Sequence, residues 1–256
     1  MSKRALITGA SSGIGLELAR ELARRGWDLA LLARRGDLLD DLARELAARG
    51  TQAVALECDV TDGAAVRDAV RRGTEALGGP FDLAIANAGV GISSHATKFN
   101  IADSELMIRV NVLGMLYLFD AVIPSMIERR SGRFAGIASI AGLRGLPTSA
   151  VYSASKAAMQ TFLEASRVEL APYGVGVTTI NPGFIATPMT EKNRFKMPFL
   201  MQAGESAVLI ADALERGDRV FEFPKPMSLL MRFARLIPDA IFDRATMGAA
   251  KRKRSA

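Results

Sequence analysis

The chain has almost none of the residues that build disulfides or metal centres. Its 256 residues include one cysteine, one histidine and one tryptophan. A single Cys excludes an internal disulfide framework and suits a reducing compartment. Cys58 ends the strand-like run Ala53–Cys58 and reads as a small buried residue, because the only His is His95 and no paired base is evident. One Cys and one His also leave too few ligands for a transition-metal site, so no metal is expected. No uninterrupted apolar run reaches the roughly 18 residues of a transmembrane candidate. The first apolar run begins within a few residues of the N-terminus, which leaves no space for a secretory signal of roughly 15–30 residues. A cytoplasmic location is expected.

Charge is modest and unevenly placed. Of the net +6, four charges come from Lys251-Arg-Lys-Arg254 alone. The tail 251–256 reads as a solvated end. The sharper alternative is attraction to anionic lipid headgroups, which would add peripheral contact at the inner membrane surface. No recognised nucleic-acid module accompanies the charge, so no nucleic-acid partner is expected.

Apolar strand-like runs alternate with helical stretches. The expected strands are 4–8, 28–33, 52–57, 82–86, 133–138, 175–180 and 219–223. The expected helices are 14–25, 37–49, 62–77, 103–129, 149–172 and 204–216. This order predicts an α/β fold, a doubly wound parallel sheet of about seven strands with helices on both faces. One domain spanning 1–256 is expected, without repeats or linkers. Ligands of such sheets bind at the carboxyl ends of the strands.

Two patterns carry chemistry at those ends. Thr8-Gly9-Ala10-Ser11-Ser12-Gly13-Ile14-Gly15 joins the first strand to the first helix, the context of a dinucleotide-binding turn. Gly9 permits the tight turn, Gly13 lets backbone approach a pyrophosphate, and Gly15 lets the helix pack close. The helix N-terminus offers unpaired N–H groups to phosphate. Tyr152 and Lys156, four residues apart, share a helix face. A phenol titrates near ~10, and a nearby ammonium is expected to lower that by roughly 1–3 units. Tyr152 would then exchange protons with an alcohol or carbonyl oxygen.

Together with Asn87-Ala88-Gly89, Asn111, Ser139 and Pro182-Gly183, these motifs make the chain resemble the short-chain dehydrogenase/reductase family, in its subgroup of about 250 residues. The resemblance runs from residue 3 to about residue 190. One departure is Ala86, where the family often has a second Asn. The resemblance implies a catalytic set of Asn111, Ser139, Tyr152 and Lys156. In it Ser139 holds the substrate oxygen, and Lys156 lowers the Tyr152 pKa and bonds the nicotinamide ribose. The Asn111 backbone carbonyl holds a proton-relay water where the residue interrupts its helix. It also implies cofactor contacts from Gly9, Ser11, Ser12, Gly13, Ile14, Gly15, Asn87, Ala88, Gly89, Pro182, Gly183, Ile185 and Thr187. Asp59 would meet the adenine amino group and Val60 border the ring, although Asp59 also suits a turn. At the end of the second strand Ala33 stands where an acid would select NAD by bonding the ribose 2′-OH. Arg34 offers a 2′-phosphate a planar fork of donors, so NADP(H) is the expected cofactor. Arg35 either adds charge or faces water.

The segment 188–203, with Phe195, Met197, Phe199, Leu200 and Met201, suits a mobile apolar lid. Leu143, Leu146 and Pro147 are expected to form the facing wall, and His95 to sit on the surface or at the pocket mouth. An apolar pocket implies an apolar or lipid-like carbonyl or alcohol substrate. In the extension 225–247, a helix is expected over 227–237 with Ser228, Arg232, Arg235 and Asp239 on one stripe, and a second short helix from Asp239 through Phe242. Its broad apolar surface suits packing on the subunit's own pocket, a subunit contact or a membrane surface. The expected activity is NADPH-dependent carbonyl–alcohol interconversion by a homodimer or homotetramer. The alternative is a non-catalytic NADP(H)-binding sensor or scaffold that docks a partner through the C-terminal segment.

Overall fold

The structure is a computed structural model that describes residues 3–191, 193 and 196–252. Its strands are β1 (Lys3–Thr8), β2 (Trp27–Ala33), β3 (Ala53–Glu57), β4 (Leu83–Ala86), β5 (Gly132–Ile137), β6 (Val175–Pro182), β7 (Ile185–Ala186), β8 (Met201–Gln202) and β9 (Val220–Phe223). Its α-helices are α1 (Gly13–Arg24), α2 (Gly36–Ala47), α3 (Gly63–Ala76), α4 (Ile101–Ile108), α5 (Gly114–Glu128), α6 (Ala150–Leu170), α7 (Ala203–Arg216), α8 (Lys225–Leu236) and α9 (Asp239–Arg252). Seven strands form one parallel sheet in the order β3-β2-β1-β4-β5-β6-β9. The chain winds outward in both directions from β1 and β4, so a crevice opens where their carboxyl ends diverge.

Side-chain alternation along the strands builds two cores. Leu6 and Leu32 point into one with Phe134, Leu118 and Leu163, while their neighbours Ile7 and Leu31 point into the other with Leu18, Leu39 and Ile210. α3 packs on α5 and α1 packs on α7. Arg25 fastens α1 to α7, since its guanidinium reaches Glu21, Asp212 and Glu215. Covering both faces explains why the strands read as continuous apolar runs.

Several expectations are corrected. The helix read over 103–129 is α4 and α5 joined through a widened turn, Arg109–Leu113. This continuous stretch, 101–128, is long and apolar enough to cross a membrane by length and composition. Counting only uninterrupted runs missed it, because Arg109, Asn111 and Asp120 break the sequence. In the fold it is a core helix, with Met107, Val110, Met115, Leu118, Val122 and Met126 buried. The 188–203 segment is fastened at both ends by an unforeseen pairing of β7 with β8. Phe195 lies outside the described residues, as does the tail from residue 253. The second C-terminal helix is α9, which continues well past Phe242.

α8 carries the largest correction. Its own-pocket packing is not found: Leu229, Leu230, Phe233 and Leu236 are all exposed. The stripe read as polar supplies contacts to the body instead. Ser228 is buried, and Arg232 Nε donates to the buried Glu222 at 2.8 Å.

Candidate active site

A cleft of about 790 Å³ lies over the carboxyl ends of the strands. Its wall includes nearly every residue singled out from the sequence: Gly9, Ser11, Ser12, Gly13, Ile14, Arg34, Asp59, Val60, Asn87, Ala88, Gly89, Ser139, Tyr152, Lys156, Pro182, Gly183, Ile185 and Thr187. Gly15 and Asn111 lie just behind it and support it.

The glycine turn fits a group that demands close backbone approach. Gly9 and Gly13 have φ of +70° and +58°, where a side chain is strained. A Cβ on Gly15 would sit 2.3 Å from the Gly9 carbonyl oxygen, and one on Gly9 2.8 Å from Ala88 Cα. Ser12 precedes α1 with extended backbone and makes no side-chain cap, which leaves the first N–H groups of α1 facing the cleft. Thr187 packs beside Gly13. Thr190 holds that turn by donating to Ile185 O at 2.6 Å and accepting from Thr187 N at 3.0 Å.

The turn is braced by Asn87, whose Nδ2 donates to Thr8 O at 2.9 Å and Gly9 O at 3.3 Å. Thr8 Oγ1 in turn accepts from Asn87 N and Ala88 N. The Asn-Ala-Gly motif therefore locks β4 to the glycine turn, as well as lining the cleft. Asp59 does two things as well, since it lines the cleft and accepts from Thr61 N at 2.9 Å in a turn.

The two arginines after β2 part company. Arg34 is exposed on the cleft wall. Arg35 is exposed too, but it does more than add charge: it donates to Ser11 Oγ and Ser12 Oγ, both at 2.8 Å. A sequence reading has no signal for that clasp, because it depends on how β2 and the glycine turn meet.

Deeper in the cleft Tyr152, Ser139 and Lys156 come together. Tyr152 and Lys156 share one face of α6 as their spacing required. Ser139 follows β5; its Oγ accepts from Ala141 N at 3.1 Å and donates to Pro182 O at 3.4 Å, and it stands close enough to Tyr152 to draw the phenol's pKa down. Lys156 is 4% exposed and donates to Ile137 O at 2.8 Å. Asn111 is fully buried in the widened turn. Its Oδ1 accepts from Val90 N at 2.8 Å, while Nδ2 donates to Val90 O at 3.0 Å and Ser155 Oγ at 2.9 Å. The side chain thus pins the loop after Gly89 to α6.

The pKa expectation for Tyr152 is corrected. Burial raises it above the usual phenol value, and the nearby Ser139 only partly opposes this. Lys156 does not lower it here, because its ammonium is aimed at the Ile137 carbonyl, 5.9 Å from the Tyr152 ring centre. The same burial lowers Lys156 itself to about 8. Cys58, also lining the cleft, is pushed up to about 11, mainly by burial, which makes it a poor thiolate source.

Other residues fall elsewhere. His95 caps a short turn through Nδ1, which accepts from Thr97 N at 3.2 Å, and does not line the cleft. Leu143, Leu146 and Pro147 do not line it either, because Arg144 draws their loop toward α8 and α9. Apolar wall comes instead from Val90, Ile92, Val110 and Met189. Gly91 packs against the Tyr152 ring, where a Cβ would lie 3.4 Å from Cε2.

One polar chain was missed by sequence reading. Gln160 Nε2 donates to Ser139 O at 2.7 Å and to Asn181 Oδ1 at 2.9 Å. Asn181 Nδ2 donates to Glu222 Oε1 at 3.2 Å, and Glu222 Oε2 accepts from Arg232. It runs from α8 to the backbone of Ser139. Polar residues inside apolar strands were its only sequence signal.

A parallel doubly wound sheet with a glycine turn and a Ser, Tyr and Lys constellation defines a dinucleotide-dependent oxidoreductase. The short chain dehydrogenase family profile matches residues 3–197, and the chain belongs to the short-chain dehydrogenase/reductase family. An uncharacterized oxidoreductase of Myxococcus xanthus is 41% identical over 243 residues, covering 95% of this chain and 96% of that protein. A Burkholderia phymatum short-chain dehydrogenase/reductase in complex with NAD is similar at TM-score 0.84 and 25% identity, covering 90% of this chain and 92% of that one. A Sphingobium yanoikuyae short-chain dehydrogenase in complex with NADPH is similar at TM-score 0.79 and 27% identity, covering 99% of this chain and 96% of that one. Structural neighbours therefore bind NAD or NADPH.

Proposed function

We propose that the protein is an NADPH-dependent reductase of an apolar or lipid-like carbonyl compound, with Tyr152 as the proton donor. The observation that carries this reading is the convergence of Ser139, the half-buried Tyr152 and the buried Lys156 on the wall of a cleft that also takes in the glycine turn. When bound, the nicotinamide supplies the hydride. Everything else falls to the chain. Ser139 donates to the substrate oxygen and holds it as negative charge develops. The Tyr152 phenol, whose pKa is not depressed, is protonated at neutral pH and available to that oxygen. Lys156, lowered to about 8, exchanges its own proton close to neutrality and would bond the nicotinamide ribose. Asn111 keeps the neighbouring loop in place, and its backbone carbonyl would hold the proton-relay water.

Arg34 on the rim, with Ala33 where an acid would otherwise stand, supports NADPH over NADH through charge-assisted bonds to the 2′-phosphate. Val90, Ile92, Val110 and Met189 support an apolar substrate. A cytoplasmic homodimer or homotetramer completes the proposal. The test is a panel of long-chain aldehydes, ketosteroids and 3-keto lipids monitored by NADPH oxidation, run with wild type and Tyr152→Phe. The variant keeps the ring and removes the proton. It is expected to lose turnover by ~10²–10⁴-fold while binding NADPH almost unchanged. Wild-type turnover in the variant, on a substrate the wild type reduces, would overturn the mechanism.

A further inference from the structure

The α8–α9 hairpin is built to keep an apolar face outward. On α8, Leu229, Leu230, Phe233 and Leu236 recur at helical spacing and are 58–80% exposed, and Ile241 and Met247 extend the apolar surface onto α9. A contiguous exposed apolar surface of this kind marks an interaction site. Rotation of the helix to hide it is opposed by contacts at both ends. Near its start Met227 and Ser228 are buried and Arg232 is fixed on Glu222. At its C-terminus the Arg144 guanidinium donates to the carbonyls of Ala234 at 2.6 Å and Ile237 at 2.8 Å, bonds Asp239 at 2.8 Å, and stacks on Phe242 at 4.0 Å. One arginine therefore caps α8, holds the start of α9 and sets the angle between them.

Charge identifies the occupant. Between residues 225 and 256 there are eight basic residues and two acidic ones, so the chain's entire net charge of +6 lies in this segment and the rest is neutral. We infer that the α8–α9 hairpin docks on an anionic membrane surface, with its leucines and Phe233 in the headgroup–acyl boundary and its basic residues against lipid phosphates. A second copy of the chain fits less well, because an isologous contact would bring two segments of the same sign together. This inference goes beyond the proposed reaction and does not depend on it.

The test is co-sedimentation of the full-length protein with pure phosphatidylcholine vesicles and with mixed phosphatidylcholine–phosphatidylglycerol vesicles, at low and high salt, beside measurement of solution mass. The comparison variant is Leu230→Asp/Phe233→Asp, whose positions are 58% and 65% exposed, so the fold should survive and circular dichroism can check it. Binding is expected to the phosphatidylglycerol vesicles, weakened by salt and reduced by about tenfold or more in the variant. Absence of wild-type binding at low salt would overturn the inference. So would equal binding by wild type and variant. A stable oligomer that dissociates in the variant, without vesicle binding by wild type, would assign the face to a second copy instead.

Discussion

Replacing Lys156 with Met should inactivate the protein and make it more stable. Lys156 is 4% exposed, and burial lowers its pKa from 10.5 to about 8. Below pH 8 both folded and unfolded chains carry the proton, and the folded state bears the whole desolvation penalty. Between 8 and 10.5 the unfolded chain still binds a proton that the folded chain has released, so stability rises with pH. Above 10.5 both are neutral and the penalty is gone. At about 1.4 kcal/mol for each tenfold change, the gap amounts to about 3 kcal/mol at pH 7. Met removes it, but also removes the bond to the Ile137 carbonyl, a loss of about 1–2 kcal/mol. The variant should therefore gain roughly 1–2 kcal/mol near pH 7, and this advantage should shrink and reverse as pH approaches 10.5. Urea denaturation of both proteins across pH 7 to 10 reads the difference directly. A variant less stable than wild type at pH 7, or a difference that does not change with pH, would refute the reasoning.

Further outcomes follow from the cleft. Arg34→Ala should weaken NADPH by roughly 1.5–3 kcal/mol and NADH much less, whereas Arg35→Ala, which frees Ser11 and Ser12, should weaken both alike; fluorescence titration with each cofactor separates the two. Gly15→Ala forces a Cβ onto the Gly9 carbonyl oxygen and should lower stability by roughly 1–3 kcal/mol with loss of cofactor binding, measured by thermal shift with and without NADPH. Gln160→Leu should lower turnover while leaving cofactor affinity nearly unchanged, since it releases the Ser139 carbonyl without touching the glycine turn; a kcat against Kd comparison tests this. Met159, beside Lys156 Nζ at 3.5 Å, offers a control position where substitution by Leu should be nearly neutral in denaturation.

Local pattern made most of the frame legible. Alternation of apolar runs and helical periods determined the parallel sheet, since strands buried on both faces must read as continuous hydrophobic runs. The glycine turn and the Tyr152–Lys156 spacing were legible because each encodes its geometry within one loop or one helix. What tertiary structure alone decided were contacts between residues far apart in the chain. Arg35 reaches Ser11, Asn87 braces Gly9, and Gln160 connects Ser139 to Asn181; none has a local period to betray it. The Tyr152 pKa turned on desolvation by the surrounding fold, which spacing on a helix does not specify. For α8 the amphipathic pattern announced two faces, but not which would meet the body. Glu222 and Arg144, distant in sequence, claimed Arg232 and the helix end, and that left the leucines outward.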